Sequence, residues 1–206
     1  MMYKIAIFVS GRGSNLKAII DSIADSKRKI KVVAVISDKI DCPAFEIAKS
    51  NGIKTYSAST IEREGYISYL SLLEILQNIE TELIVLAGFL KKIPDILIEA
   101  FTDRIINIHP ALLPSFGGKG MFGINVHKAV FQKSAQLSGA TVHFVDKIYD
   151  NGKIIAQESV DISDVYSPEE IAERVLKVEH SLLPKVIKKF SEKKVIEKNN
   201  RIYILN

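Results

Sequence analysis

A chain of 206 residues with 47% hydrophobic and 25% charged residues is composed like a globular protein able to bury a sizeable core, which excludes a disordered or low-complexity polymer. Its formal net charge of +4 suits anionic substrates as well as nucleic acid and decides nothing alone. The single cysteine, Cys42, excludes an intrachain disulfide and makes a poor metal site, and no apolar run approaches the roughly 18–20 residues of a membrane helix.

The first residues lead straight into a strand-like run without the apolar core and cleavage site of a signal peptide, so a cytoplasmic location is expected. No linker-like stretch divides the sequence, and a single domain over residues 1–206 is expected. Tyr3 to Val9 is an apolar, β-branched run followed by Ser10-Gly-Arg-Gly-Ser-Asn15 and then Leu16, Ile19, Ile20 and Ile23 at helical spacing: strand, loop, helix. Strands are predicted at Lys31 to Ser37, Ile53 to Ser57 and Glu82 to Ala87, with helices at Pro43 to Ser50, Thr60 to Ile79 and Pro94 to Phe101. This alternation predicts an α/β fold, a doubly wound, mostly parallel sheet.

After the strand carrying Asn107 and His109 the character changes. Gly139 to Asp146 and Lys153 to Val160 alternate around a turn at Asp150-Asn151-Gly152, which predicts an antiparallel hairpin. Ser167-Pro-Glu-Glu170 has the form of a capping box and opens a helix with Ile171, Val175 and Val178 on one face. The hairpin of residues 139–160 gives the sheet an antiparallel C-terminal extension, and Val195 to Leu205, folding at Asn199-Asn200, predicts a small closing hairpin. Lys185 to Lys198 reads as a solvated, charged helix face and turn.

Two features point to chemistry. Asn107-Ile-His109 closes an apolar strand, and residues two apart share a face, so an amide and a group titrating near neutrality project together. Pro110 cannot continue a central strand, which places the pair at the C-terminal rim, where open α/β sheets bind ligands. In the first loop, Gly11 and Gly13 permit positive φ, and Ser14 and Asn15 suit a helix N-terminus whose free N–H groups fit a phosphate. No Walker lysine follows and the third glycine of a dinucleotide fingerprint is replaced by Leu16, but Asp38 matches a ribose-binding acid, so a nicotinamide oxidoreductase stays open, as does a catalytically silent binding module. Asp150 lies in a turn where Asp is favoured for local hydrogen bonding alone. His127 and His143 fall on a predicted helix and strand and read as core or surface histidines; a metal site is not expected. Ser115 to Gly120 is either a lid or an ordinary surface loop.

Ser10-Gly-Arg-Gly-Ser-Asn15, Leu86-Ala-Gly-Phe89, Ile106-Asn-Ile-His-Pro-Ala-Leu-Leu-Pro114, Gly139-Ala-Thr-Val-His-Phe-Val145 and Glu179-His180 occur in an order and spacing that resemble the phosphoribosylglycinamide formyltransferase family across nearly the whole chain. Asn-Ile-His-Pro with Leu-Leu-Pro is shared with methionyl-tRNA formyltransferase and formyltetrahydrofolate deformylase, but those lack the Ser-Gly-x-Gly-Ser-Asn loop and carry a further domain for which this length leaves little room. The resemblance implies formyl transfer from 10-formyltetrahydrofolate, a co-substrate, to the amine of glycinamide ribonucleotide in purine synthesis, with small-molecule substrates, no metal, no nucleic acid, no membrane, and a monomer or homodimer.

By matching position, Asn107, His109 and Asp150 would form a catalytic trio. Gly13, Ser14 and Asn15 would hold the substrate phosphate, and Glu179 its ribose hydroxyls. Arg63, Leu90, Lys91, Lys92 and Ile93 would contact the folate with Asn107, and Val145 to Tyr149 would line its pocket. Asn107 and a protonated His109 would donate to the oxyanion, with Asp150 raising the histidine pKa and aiding proton relay through water. Asn151, often Gly beside the catalytic Asp in the family, is expected to tolerate positive φ there. Arg12 also varies, and Gly117 to Gly123 lies where members differ in length, so no contact, including any of Lys119, carries over from it.

Overall fold

The run Tyr3–Val9 forms strand β1, whose last five residues are all buried, as a central parallel strand covered on both faces requires. The structure, a computed structural model, describes residues 2–24 and 30–205. The chain divides into two compact units, residues 1–106 and 107–206.

In the first unit β1 leads into α1 (Ser14–Ala24), which buries Leu16 and Ile19, followed by β2 (Ile30–Ser37), α2 (Ala44–Ser50) and β3 (Lys54–Ser59). Then come β4 (Ile67–Ser68), α3 (Tyr69–Asn78), β5 (Leu83–Leu86) and α4 (Asp95–Ala100). Strand order is β4-β3-β2-β1-β5, every pair is parallel, and Ile7 of β1 faces Val35 on one side and Val85 on the other. The order runs outward from β1 to β4 and resumes on the other side of β1 with β5. The switch point therefore lies at the C-terminal ends of β1 and β5, the usual ligand crevice of such sheets.

The helix expected from Thr60 to Ile79 is shorter. Gly65 takes a left-handed φ of +77°, residues 67–68 pair with β3, and the extended Ser68 caps a helix that begins only at Tyr69, accepting the Ser71 N–H at 3.0 Å. The helical periodicity of residues 60–68 is overridden by that glycine and by strand pairing.

Strand β6 (Ile105–His109) carries the chain into the second unit, which contains α5 (Ile124–Gln132), β7 (Leu137–Phe144), β8 (Ile154–Asp161) and α6 (Pro168–Ser191). Its strand order is β6-β7-β8, with β7 and β8 antiparallel as predicted. The register slips between Val142 and His143, where β8 carries the extra residue Ile155, a bulge that bends the hairpin just before its turn. The capping box at α6 is present: Ser167 Oγ accepts the Glu170 N–H at 3.3 Å and donates to Glu170 Oε1 at 3.0 Å. Strands β9 (Val195–Lys198) and β10 (Arg201–Ile204) form the closing hairpin, and Asn199 and Asn200 supply its left-handed corner at φ 51° and 61°. Among the described residues no helix is long and apolar enough to cross a membrane.

Candidate active site

Ile105, Ile106 and Ile108 are buried and anchor β6, leaving Asn107 half-buried and His109, 2% exposed, at the strand's end. The second unit brings Asn107, His109 and Asp150 together, as expected. Asp150 Oδ2 lies 3.6 Å from His109 Nδ1, and Asp150 Oδ1 lies 3.6 Å from His143 Nε2. One carboxylate thus faces two imidazoles.

His143 is the residue sequence reasoning missed. Its Nδ1 donates to the Phe144 carbonyl at 2.7 Å, a group that only accepts, so in the neutral ring Nε2 is the lone pair that accepts from Asn107 Nδ2 at 3.1 Å. That bond fixes the amide of Asn107 and leaves its second N–H to donate elsewhere. Two residues earlier on β7, fully buried Thr141 donates to the Ala111 carbonyl at 2.7 Å and accepts from the Leu113 N–H at 3.1 Å, holding the segment that follows His109.

The loop after Pro114 supplies contacts that could not be assigned from sequence. Phe116 sits at φ +56°, unusual for a bulky L-residue, and its carbonyl accepts from His109 Nε2 at 2.9 Å, so Nε2 carries the proton and Nδ1 faces Asp150. Gly118 N–H donates to Asp150 Oδ2 at 2.8 Å. A Cβ at Gly117 would stand 2.5 Å from Leu113 Cδ2 and 3.2 Å from Asp150 Cβ, so only glycine lets the loop lie this close to the carboxylate. In the hairpin turn the positive φ falls on Asp150, at 53°, and not on Asn151 as expected. The tight closure is Gly152, where a Cβ would stand 1.8 Å from the Phe144 carbonyl.

The electrostatics correct one expectation. Asp150 does raise the His109 pKa, and so does the Phe116 carbonyl, but burial is the larger effect and the ring ends below its ordinary value. His109 therefore rests neutral near pH 7. Burial pushes the Asp150 carboxyl up, but His143, His109 and the Gly118 N–H together outweigh it and keep the group ionised.

His127 on α5 is buried, with Nδ1 lacking a hydrogen-bond partner among the described residues, and burial together with His109 pushes its pKa down to about 4. The folded value lies below the unfolded one of about 6.5, so the unfolded chain takes up a proton the folded chain refuses. Stability is expected to be intact above pH 6.5 and to fall as pH drops toward 4, by roughly 2 kcal/mol from this group after allowance for solvent screening. Urea denaturation at pH 7, 5.5 and 4.5 should show that decline, reduced in His127→Leu; an equal decline in both proteins would refute the assignment.

The first unit holds the other predicted residues except Glu179. Of the two loop glycines only Gly13 has positive φ, at 79°, and a Cβ there would stand 2.6 Å from Ala44 Cβ, so α2 packs directly on the loop. Ser14, exposed, and Asn15, buried, open α1. Asp38, which matched a ribose-binding acid, accepts from Ser10 Oγ at 2.6 Å. Leu90, Lys91 and Lys92 are exposed, whereas the Ile93 side chain is buried. Arg63 places its guanidinium 4.7 Å from the centre of the Tyr66 ring. Glu179 lies on α6 in the second unit, buried.

Residues 3–187 match the formyl transferase family. The chain belongs to that family. Among curated relatives, the chloroplastic phosphoribosylglycinamide formyltransferase of Arabidopsis thaliana is 44% identical over 194 residues, covering 93% of this chain and 66% of that protein. The chain thus spans about two thirds of the length of this plant relative. The phosphoribosylglycinamide formyltransferase of Bacillus subtilis is 35% identical over 188 residues, covering 91% of this chain and 94% of that one. The crystal structure of phosphoribosylglycinamide formyltransferase from Anaplasma phagocytophilum superposes with a TM-score of 0.88 at 28% identity, over 99% of this chain and 94% of its own. The chain has the formyl transferase fold that its sequence predicts, a mostly parallel sheet with an antiparallel extension. In this family the loop after β1 belongs to a formyl transferase and not to a nicotinamide oxidoreductase.

Proposed function

We propose that this formyl transferase moves the formyl group of 10-formyltetrahydrofolate to the amine of glycinamide ribonucleotide, acting as a single cytoplasmic domain on two small-molecule substrates. The observation that carries the proposal is one ionised carboxylate, Asp150, set 3.6 Å from both His109 and His143, with His143 holding Asn107. The names of the relatives support phosphoribosylglycinamide as the acceptor, and the motif resemblance implies the folate donor.

The chemistry needs three services. The amine nitrogen bonds to the formyl carbon, the carbonyl electron pair moves to oxygen, the bond to the folate nitrogen then breaks, and the proton shed by the amine ends on that nitrogen. Asn107 directs its free N–H at the developing oxyanion. Neutral His109 takes up the amine's proton, Asp150 stabilises the imidazolium that forms, and the ring then delivers the proton to the departing nitrogen. Gly13, Ser14 and Asn15 at the N-terminus of α1 hold the substrate phosphate and Glu179 the ribose hydroxyls, while Arg63 and the 90–93 segment hold the folate. Holding amine and donor in line is worth up to about 7 to 11 kcal/mol, so these binding residues matter as much as the proton carriers.

A formyl-transfer assay with each substrate omitted in turn, the product confirmed by mass, tests the proposal. Product requiring both substrates supports it; folate turnover without the ribonucleotide would make the protein a deformylase. Gly13→Ala is expected to raise the KM for glycinamide ribonucleotide about tenfold or more, with kcat at saturation little changed, because a side chain at φ +79° pressed on Ala44 distorts the phosphate loop. An unchanged KM would remove that loop from the substrate site.

A further inference from the structure

Ser10 has every polar group engaged, and its bonds reach two parts of the switch-point rim, the loop after β2 and the segment after β5. It is 1% exposed. Its N–H donates to the Gly88 carbonyl at 3.1 Å, and its carbonyl accepts from Lys39 Nζ at 2.8 Å. Its Oγ donates to Asp38 Oδ1 at 2.6 Å, the length of a charge-assisted O–H···O⁻ bond, and accepts the Leu90 N–H at 3.0 Å. Lys39 and Asp38 follow β2; Gly88 and Leu90 follow β5; Ser10 itself begins the loop after β1. Two further contacts bind the same rim: Gly11 O accepts the Ala44 N–H at 3.2 Å, and Phe89 packs edge-on against Phe8 with ring centres 5.4 Å apart.

We propose that Ser10 is a positioning residue that clamps the phosphate loop directly to the 88–93 segment, with Asp38 holding its hydroxyl in place, so that occupation of the first orders the second. The inference rests on the formyl-transfer assignment, which puts substrate phosphate on residues 13–15 and folate on residues 90–93. Ser10 touches neither ligand. The hydroxyl bonds at once to the loop after β2 and to an N–H of the folate segment. A merely structural serine would stabilise the fold and leave the two ligand segments independent. A clamp links them: removing the hydroxyl strips Leu90 N–H and Asp38 of a buried partner and loosens both binding loops together.

Hydrogen exchange with glycinamide ribonucleotide alone tests this without turnover. In the wild-type protein the ligand is expected to slow exchange in residues 11–16 and also in 88–93. In Ser10→Ala and Asp38→Ala it should slow only 11–16, whereas Asp38→Asn, which keeps an acceptor for the serine hydroxyl, should behave as wild type. In steady-state assays Ser10→Ala should raise the KM of both substrates about five- to thirtyfold, the loss of one buried charge-assisted bond, with kcat within about twofold. Slowing of 11–16 without 88–93 in the wild-type protein would overturn the clamp and leave the substrate assignment standing. Slowing of neither would overturn both. A rise in only one KM, or a fall in kcat alone, would also overturn the clamp. If Ser10→Ala does not fold, the contrast between Asp38→Ala and Asp38→Asn decides the matter.

Discussion

Formyl transfer by His109→Ala is expected to fall by about 10²- to 10³-fold in kcat, with the KM of both substrates changed much less. His109 is buried, neutral at rest and beside an ionised carboxylate, the setting that the proposed carrier of the amine's proton needs. His143 cannot serve, because its Nδ1 is committed to Phe144 O and its Nε2 to Asn107. The substitution also frees the Phe116 carbonyl, so thermal unfolding must be measured beside activity to separate loss of chemistry from loss of fold. A folded His109→Ala protein with near-normal turnover would remove His109 from the mechanism.

Strand periodicity made much of this site readable. The period of two in Asn107-Ile-His109, with Pro110 as a stop, put both side chains on one face, and that is where they stand. The same rule applied to Thr141-Val-His143, just ahead of the Asp150 turn, would have aimed His143 at the same cluster. A lone histidine in an apolar strand, however, reads as a satisfied core residue, and nothing in the sequence marks this one as different. The 116–118 loop was not readable at all. Its contribution is a left-handed Phe116 that turns a carbonyl toward His109 and a Gly117 that makes room for Asp150, and neither leaves a mark in composition or periodicity. The misjudged pKa has a different source: sequence places Asp150 near His109 but does not reveal how deeply the ring is buried, and here burial wins. At residues 60–68 local periodicity pointed to helix while Gly65 and pairing with β3 imposed an extended chain, an ordinary case of tertiary structure overriding propensity.

The sharper test of the trio is Asp150→Asn, since it changes charge and little else. Asn, like Asp, tolerates the left-handed backbone at φ 53° and still offers an oxygen to the Gly118 N–H. What is lost is the negative charge that, in the proposed mechanism, stabilises the imidazolium of His109 as the amine's proton arrives, and kcat is expected to fall by about 10²-fold or more. The pH profile fixes the cause. In the proposed mechanism the working form of His109 is neutral, so kcat/KM is expected to fall on the acid side as the ring protonates, below its ordinary value because burial lowers its pKa. Asp150 acts in the opposite direction and holds that pKa higher than burial alone would. Removing its charge must therefore move the acid limb to still lower pH while the plateau drops. A limb that stays in place, or moves toward neutrality, would mean that Asp150 does not act on His109 through charge, and its role would then be limited to holding the 116–118 loop.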